Sequence, residues 1–133
     1  MKLLDTSVAV DYLRGHDPAT ALLEQWISSE QPVAASELTR FELLARARLG
    51  EHADLEGFFS AIEWIPVTED MTRRAGDFAR LYRASHSGIG VIDYLLAGTA
   101  SLVGADMVTT NVRHFPMFDG LRPPYHYGVG PTS

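Results

Sequence analysis

Apolar runs of strand length alternate with helix-period segments along nearly the whole chain. This alternation restricts the fold more than any single motif does, because it is the pattern of a parallel sheet built from βα units with helices on its faces. Leu3-Leu4 reads as the first strand, and Val8, Tyr12 and Leu13 as a short helix stopped by Gly15 and Pro18. Leu22, Leu23, Trp26 and Ile27 recur at helical spacing, and Pro32-Val33-Ala34-Ala35 reads as a second strand. From Ser36, the residues Leu38, Phe41, Ala45 and Leu49 form a helical stripe that Gly50 closes, and another helix runs over Leu55, Phe58, Phe59 and Ile62. Trp64-Ile65-Pro66-Val67 reads as a short strand that Pro66 places at a sheet edge. Asp70 or Glu69 opens the next helix, with Met71, Ala75, Phe78, Ala79 and Tyr82 at its period. After Ser87-Gly88-Ile89-Gly90, the stretch Val91 to Val103 is apolar nearly all round, as in a helix sandwiched in a core. Met107-Val108-Thr109 supplies a further strand, and Phe115, Phe118 and Leu121 pack the segment after it. The reading is one domain over residues 1–123 and a tail with Pro and Gly over residues 124–133.

A chain of 133 residues can bury roughly two-thirds of its unfolded surface in a single core. It has no cysteine, which removes disulfides, thiolate metal sites and cysteine nucleophiles from consideration. The apolar run of Met1-Lys2-Leu3-Leu4-Asp5 is too short for a signal peptide, and no later segment has the length of a membrane span, so a cytoplasmic protein is expected. The net charge of -6 argues against a nucleic-acid partner. That argument is weakened by the basic residues themselves: ten of the eleven are Arg, suited to bidentate phosphate contacts, and Arg46/Arg48 and Arg73/Arg74 fall in pairs.

Three acids stand out. Asp5 ends the first strand, and a carboxylate at the carboxyl edge of an open α/β sheet sits where such folds bind ligands; a helix cap is the competing role for Asp5 or Thr6. Glu42 lies four residues after Leu38 and three before Ala45, on or beside the stripe of its helix, where its carboxylate either serves a site or reaches out to water. Asp93 falls in the first turn of the most apolar helix, as a site residue or as a partner of the helix dipole. A lone buried carboxylate is costly unless paired, hydrogen-bonded or metal-bound. One economical explanation covers all three: convergence in one cleft at the sheet edge, across separations of 37 and 51 residues, around Mg²⁺ or Mn²⁺.

Leu4-Asp5-Thr6-Ser7, Thr39-Arg40-Phe41-Glu42-Leu43, Val91-Ile92-Asp93-Tyr94-Leu95-Leu96-Ala97-Gly98-Thr99-Ala100 and Thr109-Thr110-Asn111-Val112-Arg113-His114-Phe115 resemble, in order and spacing, the four signatures of PIN-domain nucleases. They are most similar to those of the VapC toxins of bacterial toxin–antitoxin pairs. The resemblance runs from Lys2 to about Pro123. It implies a three-layer α/β/α fold around a central parallel sheet, Mg²⁺-dependent endoribonuclease activity with Mn²⁺ as a possible substitute, a VapB-like antitoxin and a homodimer. Asp5, Glu42 and Asp93 match the family's acidic metal-site positions, and Thr6 and Thr109 match polar positions near it. Asn111 stands where the fullest pattern has an acid, which removes one charge and bears on a second metal; an amide still orients water.

Arg113 is the candidate for a phosphate contact beside Asn111, with a solvated loop arginine as the alternative. His114, with no second histidine at ligand spacing, is read as structural. Asp11 either borders the site or faces solvent, Asp106 and Asp119 read as turn residues, and Tyr125-His126-Tyr127 either stack on bases or pack as a tail. An aspartyl-nucleophile phosphatase is excluded by Ser7, where that pattern has its second acid, and an Asp-x-Ser-x-Ser adhesion loop by Ala9. A catalytically weak PIN-like domain that binds RNA or protein is the remaining alternative, resting on Asn111.

Overall fold

In the computed structural model, which describes residues 1–126, four short parallel strands form one sheet in the order β3-β2-β1-β4. The strands are β1 (Lys2–Leu4), β2 (Val33–Ser36), β3 (Glu63–Ile65) and β4 (Asp106–Val108). Helices α1 (Thr6–Leu13), α2 (Asp17–Ser28), α3 (Glu37–Arg46), α4 (His52–Ala61), α5 (Glu69–Tyr82) and α6 (Val91–Val103) fill the connections, and a 3-10 turn spans Val112–His114. The edge position read from Pro66 holds for β3.

The pleat sorts the core into two halves, since successive side chains on a strand point to opposite faces. Leu4, Val33, Ala35 and Val108 face one way, onto Val8, Leu23, Leu43, Leu55, Phe58 and Phe59 of α1 to α4. Leu3, Ala34 and Met107 face the other way, onto Leu96, Ala97 and Ala100 of α6 together with Phe115. These are the three layers that the family resemblance implies, around the parallel sheet read from the alternation. β1 and β2 lie inside the sheet and are covered on both faces, which is why they read as unbroken apolar runs.

Helix ends follow local chemistry. Asp5 caps α1, its Oδ1 accepting the Thr6 N–H at 2.8 Å, and Ser36 caps α3, its Oγ accepting the Leu38 N–H at 3.1 Å. Thr68 caps α5, so Glu69 and Asp70 occupy its first turn. Pro18 does not stop α1; it sits in the first turn of α2, where a missing N–H costs nothing.

One expected stripe is displaced. α3 ends at Arg46, well before Gly50, and it buries Thr39 and Leu43 rather than Phe41, Ala45 and Leu49. Phe41 is 63% exposed, and Leu44 and Leu49 also face outward. The inner face of α3 is half polar because it borders the site, so hydrophobic periodicity pointed to the wrong side.

α6 is held between the sheet and α5. The approach is close at Gly98: a Cβ built there would lie 2.6 Å from the Met71 carbonyl oxygen and 3.0 Å from the Ala75 nitrogen, both backbone atoms that cannot swing away. Gly→Ala inside a helix ordinarily stabilises by roughly 1 kcal/mol. Here Gly98→Ala is expected to reverse the sign and destabilise by about 1–3 kcal/mol through overpacking. Urea unfolding of the variant checks this, and a stabilised variant would contradict the close packing.

Candidate active site

The strand order reverses direction at β1: the chain moves from β1 to β2 to β3, then returns to place β4 on the other side. Ligands of open α/β folds bind outside the carboxyl ends of the strands at such a switch point. Leu4 pairs with Val108 in register, so the next residues, Asp5 and Thr109, meet at that point. The Asp5 N–H donates to the Val108 carbonyl at 2.8 Å, and the Thr109 hydroxyl donates to Asp5 Oδ2 at 2.6 Å.

Asp5 is only 5% exposed. Its Oδ2 also accepts the Ser7 hydroxyl at 3.0 Å, and with Thr6 N–H on Oδ1 the carboxylate has three donors. Burial nevertheless pushes its pKa above the ordinary aspartate value, the three hydrogen bonds pull it back in part, and the negative charge of Asp93 raises it further. The capping role and the site role of Asp5 are thus compatible: one oxygen holds the helix, and the group remains a buried charge near a second acid.

Glu42 joins through Thr6. The buried Thr6 hydroxyl donates to Glu42 Oε1 at 2.6 Å and lies 3.2 Å from the Thr39 hydroxyl, so α1 and α3 are pinned together by polar contacts directly beside Asp5. Asp93 occupies the first turn of α6, where its Oδ2 accepts the Gly90 N–H at 3.0 Å. The same oxygen lies 3.2 Å from His114 Nδ1. Asn111 is exposed on the turn after β4, and its N–H donates to Thr109 Oγ1 at 2.9 Å.

The structure links Glu42 to Asp5 through Thr6 and puts the charge of Asp93 within reach of Asp5, which is looser than the single coordination sphere the sequence led one to expect. Among the described residues, no three acidic or histidine side chains close round one point as a complete ligand set would. The donor chemistry still suits a hard divalent cation. Mg²⁺ commonly takes one or two carboxylates and keeps several waters, and Asp5 with Asp93 offers two carboxylates close enough for one charge to act on the other.

Two participants were not found from the sequence. Ser7 supports Asp5, and only its place two residues after the acid hinted at such a local hydrogen bond. His114, read as structural, meets Asp93 through the 3-10 turn, a contact that no spacing in the sequence displays. Asp11 accepts the Tyr125 hydroxyl at 2.6 Å, and the Tyr125 ring lies 5.2 Å from that of His16. Tyr125 thus packs against α1 and α2 rather than standing free to stack on bases; Tyr127 and the rest of the tail lie outside the described residues. Arg113 is exposed beside Asn111.

Burial makes the charged form of Asp5 costly, so the folded protein holds that proton to higher pH than the unfolded chain does. The contribution of Asp5 to stability is present at low pH and lost as pH rises through its folded pKa. Asp5→Asn is accordingly expected to raise the Tm of the cation-free protein at pH 7, with the gain shrinking on acidification. Calorimetry across pH checks this, and equal Tm values at pH 7 would mean that the three donors fully offset burial.

The PIN domain family model matches residues 2–120. Ribonuclease VapC19 of Mycobacterium tuberculosis is 58% identical over 125 residues, covering 94% of this chain and 100% of that protein. Ribonuclease VapC10 of the same organism is 38% identical over 128 residues, covering 94% of this chain and 93% of that one. Among solved structures, a toxin-antitoxin complex from Klebsiella pneumoniae superposes with a TM-score of 0.79 at 24% identity, over 94% of this chain and 98% of the other, a likeness of fold. With the family's four signatures, its fold and relatives spanning nearly the full length, this chain belongs to the PIN-domain family, among the VapC ribonucleases.

Proposed function

We propose that the protein is a divalent-metal-dependent endoribonuclease that acts as the toxin of a toxin–antitoxin pair. The observation that carries this reading is the buried Asp5 carboxylate at the switch point, with Asp93 beside it and Glu42 tied in through Thr6. A buried charge with a second acid next to it is destabilising by itself and becomes useful when a cation binds. The relatives named ribonuclease VapC, and the toxin–antitoxin complex among the fold's neighbours, support the substrate and the biological role.

Asp5 and Asp93 are the direct ligands in this proposal, and Glu42 acts through water or the Thr6 hydroxyl. Mg²⁺, or Mn²⁺, would when bound neutralise charge on the scissile phosphate and make water a better nucleophile. Thr109 and Ser7 hold the Asp5 carboxylate in one orientation by donating to the same oxygen. The Gly90 N–H does the same for Asp93 from one side, and the His114 ring flanks that carboxylate, its Nδ1 3.2 Å from Oδ2. Asn111, at the rim, orients the attacking water through its amide, and Arg113 meets phosphate. In-line attack with departure of the ribose 3′ oxygen gives 5′-phosphate and 3′-hydroxyl ends. The weakly catalytic alternative draws only on Asn111, which leaves Asp5 and Asp93 in place.

Asp5→Asn and Asp93→Asn keep the side-chain size while removing a ligand charge, and each is expected to lower RNA cleavage by at least about a hundredfold at saturating Mg²⁺. Gel assays with end-group analysis of the products check both claims. A variant with near-normal cleavage would remove that residue from the ligand set, and cleavage by the parent undiminished in EDTA would overturn metal dependence.

The proposal extends to a cytoplasmic homodimer bound by a VapB-like antitoxin. Phe41 and Leu44, on the outer side of the helix that holds Glu42, and Leu49 in the turn after it supply the uncovered apolar surface that such association requires. The protein expressed with its neighbouring reading frame is expected to co-purify with that product and to lose RNase activity, and the protein alone to have a dimer's mass at micromolar concentration. A monomer would contradict the dimer, and full activity in the presence of the neighbour would contradict inhibition.

A further inference from the structure

Beside the acidic cluster, an open groove runs between the loop that follows α5 and the turn that follows β4. Its walls are Ser85, His86, Ser87 and Gly88 on one side and Val112, Arg113, His114 and Pro116 on the other, enclosing a volume of about 540 Å³. His114 belongs to both places, since it lines the groove and its Nδ1 lies 3.2 Å from Asp93 Oδ2. The groove therefore begins where the acidic cluster ends.

Its chemistry contrasts with that of the acidic cluster beside it. In a chain of net charge -6, this groove has no acid in its walls and presents one arginine, two histidines and two serine hydroxyls, nearly all hydrogen-bond donors. Among the described residues the Arg113 side chain has no ion pair or hydrogen bond, a state it shares with Arg46, Arg48, Arg83 and Arg122 but not with the acid-paired arginines at 40, 73 and 80, and of these unpaired arginines it is the one that lines this groove. An exposed guanidinium without a carboxylate partner, facing donors across a groove, is a seat for an anion and not for a cation. Aromatic rings interleaved with donors are also how single strands are held without dependence on sequence.

We propose that this groove carries the RNA strand adjacent to the scissile bond, with a flanking phosphate held between Arg113 and His86 while Asp93 faces the bond that is cut. The inference rests on the ribonuclease reading above and adds the path of the substrate. Phosphate contacts of this kind set the register of a strand and leave base choice to other contacts. Loop 85–88 is thus a positioning element for the substrate, assigned to residues outside all four family signatures.

The test uses a labelled single-stranded oligoribonucleotide of about ten nucleotides and mixed sequence, with the full chain as parent, Arg113→Gln, His86→Ala and the double variant. Binding in Ca²⁺ across a salt series is expected to weaken about tenfold in the double variant, and Arg113→Gln to flatten the salt slope by about 0.7, the loss of one phosphate contact on a single strand. Cleavage in Mg²⁺ is expected to show a raised KM with kcat little changed, and Arg113→Lys to restore the salt slope. Both side chains are exposed, so parent-like Tm values are expected. Parental affinity, slope and KM in the double variant would overturn the groove while leaving the ribonuclease reading intact. A parent that neither binds nor cuts RNA would overturn that reading itself.

Discussion

The hydrogen bond from Thr109 to Asp5 joins the first strand of the chain to the last, and the rest of the site depends on it. It forms where the strand order reverses, so the two residues that make it are 104 positions apart in sequence and adjacent in register. A carboxylate placed there lies inside the fold, where its charge is expensive. Thr6, Ser7 and Thr109 satisfy its oxygens without neutralising it, and burial keeps its proton affinity high. Glu42 and Asp93 are then reached from Asp5, one through the Thr6 hydroxyl and the other across space.

Much of this was legible in the sequence because it depends on short-range pattern. Strand-length apolar runs and helix-period segments pointed to the parallel sheet, the acid ending β1 to Asp5, and acids interrupting apolar helical faces to Glu42 and Asp93; the family resemblance added the three layers and Asn111. What failed was the orientation of α3. Periodicity assumes that a helix buries its most apolar stripe, and α3 instead buries Thr39 and Leu43, with Thr39 beside the Thr6 hydroxyl that holds Glu42. Phe41 and Leu44 are left outside. Glu42 meets the Thr6 hydroxyl for a reason other than its reading from the sequence, since the stripe beside which it was read is the exposed one.

The contacts that refine the site were hidden for a different reason. His114 meets Asp93, and Tyr125 meets Asp11, only because a 3-10 turn and the segment after it return to helices far away in sequence. Such pairings express tertiary closure, and a single sequence contains no periodic trace of them. The groove beside Asp93 is of the same kind, assembled from two loops that the pattern marks only as breaks.

The arrangement of helices at the sheet edge has an electrostatic consequence. Asp5 caps the N-terminus of α1, and Asp93 lies in the first turn of α6, so two helix N-termini face acids of the site, whereas Glu42 lies beyond the first turn of α3. Each N-terminus is equivalent to roughly half a positive charge, and the two together to about one. Part of the formal charge of Asp5 and Asp93 is thereby offset by the backbone. The edge remains negative enough to hold a divalent cation, yet less repulsive to a phosphodiester than three carboxylates on a bare surface. The peptide dipoles thus let one edge of an acidic protein receive a cation and a polyanion together.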